Sequence, residues 1–269
     1  MTHSSPSYRQ NSGLMHGLKV QAHVIGALLL RELHTRYGRD NIGYAWMLLE
    51  PALLATSVAA IHLGEHTHHG GFSPVGFALG GYCTFMILRS IITRSESMLE
   101  SNQPLLFHRF VTIFDMLAAR AVLETVSTTA TLIILLSGAC ALDLAEPPTR
   151  PLTMLAAIML LTWMSFAVSL SVCAASYVSK AVSKFVHPLM YVSMPASGAF
   201  FLLSWIPEPY RGWLAWSPLT QTFEMLHTGQ FESVQSPYYH PVYIIGWCMA
   251  LTLAGLLALR VVRRRIHLS

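Results

Sequence analysis

The sequence predicts an all-α polytopic membrane protein: six transmembrane helices, an N-terminal amphipathic interfacial helix, and re-entrant helices between spans five and six. Three observations carry that reading. Hydrophobic residues make up 53% of the 269-residue chain and charged residues only 11%, against roughly 25% charged in a soluble domain. The apolar residues lie in six blocks, Ile42–Leu63, Val75–Ile92, Met116–Leu142, Leu152–Val178, Phe185–Leu203 and Val242–Val262. A helix needs about 20 such residues to cross a hydrocarbon core about 30 Å thick. Lysine and arginine collect at alternate ends of those blocks. A β-barrel would show alternating segments of roughly ten residues instead.

Taken in order, the polar opening tail, rich in Ser, Asn and His, is expected to be disordered. The apolar run Val24–Leu30 is followed by Arg31 and Glu32, not by a small-residue cleavage site, so no cleavable signal peptide is expected. Over residues 17–38, Leu18, Ala22, Ile25, Leu29, Leu33 and Tyr37 recur at helical spacing, while Lys19, His23, Arg31 and His34 fall largely elsewhere. That pattern predicts a helix lying in the headgroup plane. It runs into the first span, where Glu50 directly precedes Pro51. The proline leaves the Met47 carbonyl without its helical donor, so a carboxylate and a loosened backbone coincide in one span.

Between spans two and three, residues 93–112 leave room for a short helix. Asp143–Pro151 is tight and proline-rich. The segment 204–241 is too often interrupted by proline to span and too apolar for a solvated loop. Two short re-entrant or interfacial helices fit it, since non-spanning backbone at membrane depth must be buried in protein or line a cavity. No repeat or linker divides the chain, so residues 1–269 read as one transmembrane domain.

Orientation follows from the basic residues. Arg9, Lys19, Arg31, Arg36, Arg39, Arg94, Arg109, Lys180, Lys184, Arg260, Arg263, Arg264 and Arg265 lie on one side; only Arg150 and Arg211 lie on the other. Thirteen against two puts both termini in the cytoplasm. The net charge of +4 therefore reflects basic ends near anionic membrane lipids, not a nucleic-acid partner. Cys83, Cys140, Cys173 and Cys248 all fall in spans without a CxxC pair and read as small core residues. His62, His66, His68 and His69 have metal-ligand chemistry, but nothing in their loop organises them, and no metal site is expected. The chain has no GxxxxGK[ST] phosphate loop, GxSxG or HExxH.

Ionisable groups inside spans are costly and mark either paths or structural pairs. Glu50 is the most pointed. Arg89 either snorkels to the cytoplasmic interface or faces a path. Arg120 and Glu124 have the i,i+4 spacing of an ion pair anchoring the third span; Asp115 lies just before them. Aromatic residues form a second set: Tyr44, Trp46, Tyr82, Phe85, Phe200, Phe201, Trp205, Tyr210, Trp213 and Trp216. An interfacial belt accounts for Trp205, Trp213 and Trp216; a path of rings against which sugar faces pack is the sharper reading. Gly76 and Gly80 form a GxxxG, a weak sign of close helix packing.

The segment Arg36-Tyr37-Gly38, Ile42-Gly43-Tyr44-Ala45-Trp46, Glu50-Pro51 resembles the membrane (permease) subunit of ABC-type 2 polysaccharide exporters. The span count, the cytoplasmic segment after span two and the broken region after span five fit as well. Gln103–Glu124 and the glutamate before Pro51 are most similar to capsular polysaccharide permeases; O-antigen and teichoic-acid permeases are the alternatives. The resemblance implies a non-enzymatic homodimer in the bacterial inner membrane. Two separate ATP-binding cassette subunits would bind ATP and Mg, with no cofactor in this chain. A periplasmic co-polymerase-type adaptor and an outer-membrane channel would carry the polysaccharide, usually lipid-linked, onward. It further implies a translocation path of Tyr44, Trp46, Glu50, Tyr82, Phe85, Arg89, Phe200, Phe201 and Trp205. Coupling to the ATPase would fall to Arg31, Glu32, Arg36, Glu96, Met98, Leu99, Glu100, Ser101 and Asn102, and an external gate to Tyr210, Trp213 and Trp216. The competing class is an integral-membrane enzyme acting on a lipid-linked sugar, with Arg211, Glu224 and His227 at the external face.

Overall fold

The computed structural model describes residues 14–37, 71–102 and 111–266, with 49, 52, 53, 56 and 57 between them. The expected disordered tail, the loop histidines, Tyr44, Trp46 and Glu50 lie outside the described residues, as does most of the expected first span. At 52–53 and 56–57 the chain is helical, and the Thr56 and Ser57 hydroxyls donate to the Ala52 and Leu53 carbonyls at 2.6 and 2.7 Å.

Among the described residues every regular element is a helix. Helix α1 runs Leu14–Tyr37. Helix α2, Pro74–Ser95, starts where Ser73 caps the Gly76 N–H and Pro74 takes the first turn, where a missing donor costs nothing. A four-residue helix α3, Met98–Ser101, follows. Helix α4, Ile113–Ala141, opens with a capping box: the Thr112 hydroxyl accepts from the Asp115 N–H, and the Asp115 carboxylate accepts from the Thr112 N–H. Helix α5 is Pro151–Val178 and α6 is Lys180–Ala196. After a 3-10 turn at Leu203–Trp205 come α7, Tyr210–Ala215, α8, Pro218–Gln230, and α9, Pro241–Ile266.

Among the described residues four helices are long and apolar enough to cross a membrane: α2, α4, α5 and, from Pro241 to Val262, α9. At about 1.5 Å per residue, the shortest of them reaches the thickness of the hydrocarbon core. The fifth expected span, Phe185–Leu203, differs from its prediction. Helix α6 begins earlier, at Lys180, and stops at Ala196, because Gly198 takes a left-handed φ of 90°.

The core lies where α2, α4, α5, α8 and α9 converge around Phe85, Leu161, Phe223, Leu226 and Ile244. A second cluster at the basic end joins Met98 and Leu99 of α3 to Leu117, Leu170, Cys173 and Leu259. A third, at the opposite end, joins Phe72, Phe77, Leu202, Phe231 and Val234. Large apolar side chains on the outside of α4, α5 and α9, such as Ile133, Met159 and Leu253, are exposed. This is the arrangement of a helix bundle whose solvent is lipid.

Helix α1 packs along α4, with Ile25, Leu29 and Leu33 of the predicted apolar stripe half-buried. Ala22 is exposed, while Gln21, Leu28 and Glu32 turn inward. Polar anchors on α4 turn the helix: Gln21 Nε2 donates to Asp115 Oδ1 at 3.0 Å, and Glu32 meets Arg120.

Candidate functional site

The basic end gathers residues that lie far apart in sequence. Helix α1 brings Arg31 to Asn102 Oδ1 at 3.5 Å and Glu32 to the Arg120 guanidinium. Arg120 also donates to the Arg94 carbonyl at 2.9 Å, and Arg94 pairs with Glu124 at 3.3 Å. The predicted Arg120–Glu124 pair is thus replaced by two interhelical pairs, because Glu32 and Arg94 satisfy the two charges from neighbouring elements. A crevice between α1, α3 and α4 is lined by Arg31, Glu32, Met98, Asn102 and Arg120.

Helix α3 sits in that crevice with its two faces divided. Met98 and Leu99 are buried in the second core cluster, while Glu100 and Ser101 are exposed. Asn102 closes the turn by donating to the Met98 carbonyl at 3.1 Å. Glu96 reaches His187 at 3.3 Å and Glu100 reaches Lys180 at 3.6 Å, both on α6. Eight of the nine coupling residues named from the sequence therefore surround one place. The side chain of the ninth, Arg36, lies outside the described residues.

The path residues are dispersed. Tyr82 and Phe85 belong to the core, at 6% and 1% exposure. Arg89 is half-buried; it donates to the Tyr191 hydroxyl and stacks over that ring, 4.4 Å from the centroid. Phe200 and Phe201 are half-buried. Trp205 is exposed on one side and stacks on Phe72, with ring centroids 6.1 Å apart. Tyr210, Trp213 and Trp216 are well exposed around α7.

At this end the sequence hides its most organised feature. Helix α8 is buried from Thr220 to Gln230 although seven of those eleven residues carry polar side chains. All but Thr220, whose hydroxyl has no hydrogen-bond partner among the described residues, meet backbone groups of their own helix or of a neighbour. Gln230 Nε2 donates to the Gly76 carbonyl at 2.6 Å. Gln221 donates to the Ala215 carbonyl at 2.8 Å and accepts the His240 N–H at 3.0 Å. Glu224 accepts the Leu203 N–H, and His227 Nε2 lies 3.3 Å from the Gly198 carbonyl with its ring stacked on Phe77. Burial raises the Glu224 carboxyl above its usual range, against the Leu203 and Ser236 hydrogen bonds. Burial also lowers His227 to about 4, against the backbone contacts of Gly198 and Ala199. Arg211 is spent on the Leu203 and Ile206 carbonyls and on Tyr238. The three residues of the enzyme reading are thus structural: they hold backbone and present no open external site. The close approach of α2 to α8 and to the end of α6 needs its glycines, since a Cβ at Gly80 would meet Gln230 and one at Gly81 would meet the Ala199 carbonyl.

Among the described residues no three His, Cys, Asp or Glu side chains converge on a possible metal site. The geometry defines a multi-pass helical membrane protein with a polar platform at its basic end and a clamped, non-spanning segment at the other. Residues 23–231 match the model of the ABC-2 type transporter family. The chain is 32% identical over 240 residues to the capsule polysaccharide export inner-membrane protein CtrC of Neisseria meningitidis serogroup B, covering 89% of this chain and 91% of that relative. It is 29% identical over 256 residues to the capsule polysaccharide export inner-membrane protein BexB of Haemophilus influenzae, covering 94% and 96%. It is 32% identical over 221 residues to the polysialic acid transport protein KpsM of Escherichia coli, covering 78% and 81%. This chain belongs to the ABC-2 type transporter family.

Proposed function

We propose that this chain is the membrane subunit of an ATP-driven exporter that carries capsular, lipid-linked polysaccharide across the bacterial inner membrane. The names of the relatives, two capsule polysaccharide export proteins and a polysialic acid transport protein, support that cargo. The observation that carries the reading is the meeting of α1 with α3. Two segments separated by two spans converge on one polar platform at the basic end, α1 meeting the end of α3 through Arg31–Asn102 and α4 through Glu32–Arg120. Such a platform suits docking of a cytoplasmic ATPase, with Glu100, Ser101 and the exposed edge of Arg31 as its outward contacts.

The rest of the reading follows from this assignment. Both termini are cytoplasmic, and a helix across residues 42–63 and α6 bring the span count to six. Two copies pair and seat two ATP-binding cassette subunits, which supply the nucleotide and Mg sites. The polymer passes between the copies along Tyr44, Trp46, Glu50 and Arg89, then Phe200, Phe201 and Trp205; Tyr82 and Phe85 stand behind that wall. Helices α7 and α8 are the re-entrant pair, and Tyr210, Trp213 and Trp216 form the outer gate. A periplasmic adaptor and an outer-membrane channel receive the polymer.

The test is co-expression with the ATP-binding cassette subunit, followed by purification in lipid nanodiscs. The expected product holds two copies of each chain and hydrolyses ATP faster when capsular polymer is present. A lone chain that captures no cassette subunit, in cells that still export polymer, would overturn the reading.

A further inference from the structure

Helix α6 is tied to the end of α2 and to α3 by three polar contacts in antiparallel register. Lys180 Nζ lies 3.6 Å from Glu100 Oε1, and His187 Nε2 lies 3.3 Å from Glu96 Oε1. Arg89 donates to the Tyr191 hydroxyl and covers its ring at 4.4 Å. On α6, positions 180, 187 and 191 share one stripe of a 3.6-residue helix. Their partners run in reverse order, 100, 96 and 89, as the partners of an antiparallel neighbour must.

Among the described residues, the apolar hold on α6 comes from Val182, Val186, Met190 and Met194, which pack in or against the main core cluster. Only Val186 and Met190 are buried; Phe185, Leu189, Tyr191 and Val192 are exposed. Pro188 and Pro195 each remove a backbone donor from within the helix. Gly198, with its left-handed φ, ends it. Helix α3 is anchored quite differently, with Met98 and Leu99 locked into a core shared with α4, α5 and α9. Exposed ion pairs contribute little to stability and re-form readily in a new geometry. A tightly packed apolar interface resists such sliding.

We infer that these three rungs pass movement of the Glu96–Glu100 segment to α6, with Lys180, His187 and Tyr191 as positioning residues. The inference rests on the transport reading, since only a chain that moves cargo has a stroke to transmit. The ladder has room to shift. Glu96 Oε2 is buried without a hydrogen-bond partner among the described residues, and exposed Lys184 lies on the same stripe between Lys180 and His187. A displacement of α6 along its axis exchanges His187 for Lys184 at that carboxylate.

The experiment uses the complete complex with its cassette subunit in proteoliposomes and records polymer export and ATP hydrolysis separately. Lys180→Glu and His187→Gln should each lower export per ATP hydrolysed several-fold while cassette binding, read by co-purification, is kept. Lys180→Arg, which keeps a cation beside Glu100, should keep the ratio. Tyr191→Phe should lose less than Tyr191→Ala, because the ring still meets the guanidinium. An unchanged ratio in a combined Lys180→Glu, His187→Gln variant would overturn the ladder, and so would a Lys180→Arg variant that loses as much as Lys180→Glu. A wild-type complex that binds its cassette subunit but moves no polymer would instead remove the transport reading, and the ladder with it.

Discussion

Glu224 and Arg211 grip the same residue from its two sides. The Glu224 carboxylate accepts the Leu203 N–H, and Arg211 Nε donates to the Leu203 carbonyl at 3.0 Å and to the Ile206 carbonyl at 2.9 Å. The turn after α6, whose Ala199, Leu202 and Leu203 are buried, is thereby also fixed to α7 and α8 through its backbone. Leaving a buried N–H without an acceptor costs about 1–3 kcal/mol. Glu224→Ala is therefore expected to lower the thermal midpoint in detergent more than Glu224→Gln, whose amide oxygen still accepts. Equal losses in the two variants would show that the carboxylate serves something other than Leu203.

The acid response of this end has a definite sign. His227 is lowered from its ordinary 6.5 to about 4 by burial, so the native state holds it neutral. Between those values the unfolded chain binds the extra proton, and stability falls as pH drops from 6.5 towards 4. Glu224, raised by burial, contributes the opposite slope as pH rises above its usual value. The expectation is that His227→Gln flattens the acid limb of a melting-temperature profile. A mutant profile parallel to the wild type across that window would remove His227 as the source.

Four of the spans and the short helices were legible because apolar blocks and prolines are local signals. Val75–Ile92 became Pro74–Ser95, and the segment after span five did contain two short helices. Partner choice was not legible. Arg120 offers an i,i+4 neighbour in Glu124, yet its carboxylate is Glu32, on a helix that no local spacing connects to it. The burial of α8 was hidden for a related reason. A run of Thr, Gln, Glu and His reads as surface until the backbone groups it satisfies, at Gly76, Gly198 and Leu203, are brought beside it. The end of α6 was missed because apolar residues continue past Gly198 while the helix does not.

Glycines separate close approach from mere helical tolerance. A side chain at Gly81 would collide with the Ala199 carbonyl, and Gly229 lies tight against the Met154 backbone. Overpacking costs about 1–3 kcal/mol or more, so Gly81→Ala should lower the yield of folded protein and its melting temperature. Gly138 faces open space in the middle of α4's last turns. Gly138→Ala should be neutral or stabilising by up to about 1 kcal/mol. The contrast is read by fluorescence size-exclusion profiles after graded heating, and equal profiles for the two variants would refute the packing argument.

The last prediction concerns how α1 is held. Its polar ties to α4 are Gln21–Asp115 and Glu32–Arg120, and Arg120 also binds the Arg94 carbonyl at the end of α2. One guanidinium thus joins three elements: its planar fork serves a carboxylate and a carbonyl in different directions, whereas a lysine ammonium is a single point charge on a flexible stem. Arg120→Lys should therefore keep the charge yet fail to keep the junction. Arg120→Ala should cost about 1–3 kcal/mol through the half-buried carboxylate and carbonyl it leaves behind. Hydrogen exchange followed by mass spectrometry is the direct readout. Amides of α1 should lose protection in both variants while α5 and α9, packed through Leu170 and Leu259, keep theirs. If α1 detaches in this way, capture of the cassette subunit should weaken in parallel, because the platform needs α1 and α3 side by side. Protection of α1 that survives Arg120→Ala would show that Leu28 and its apolar neighbours suffice to hold the helix.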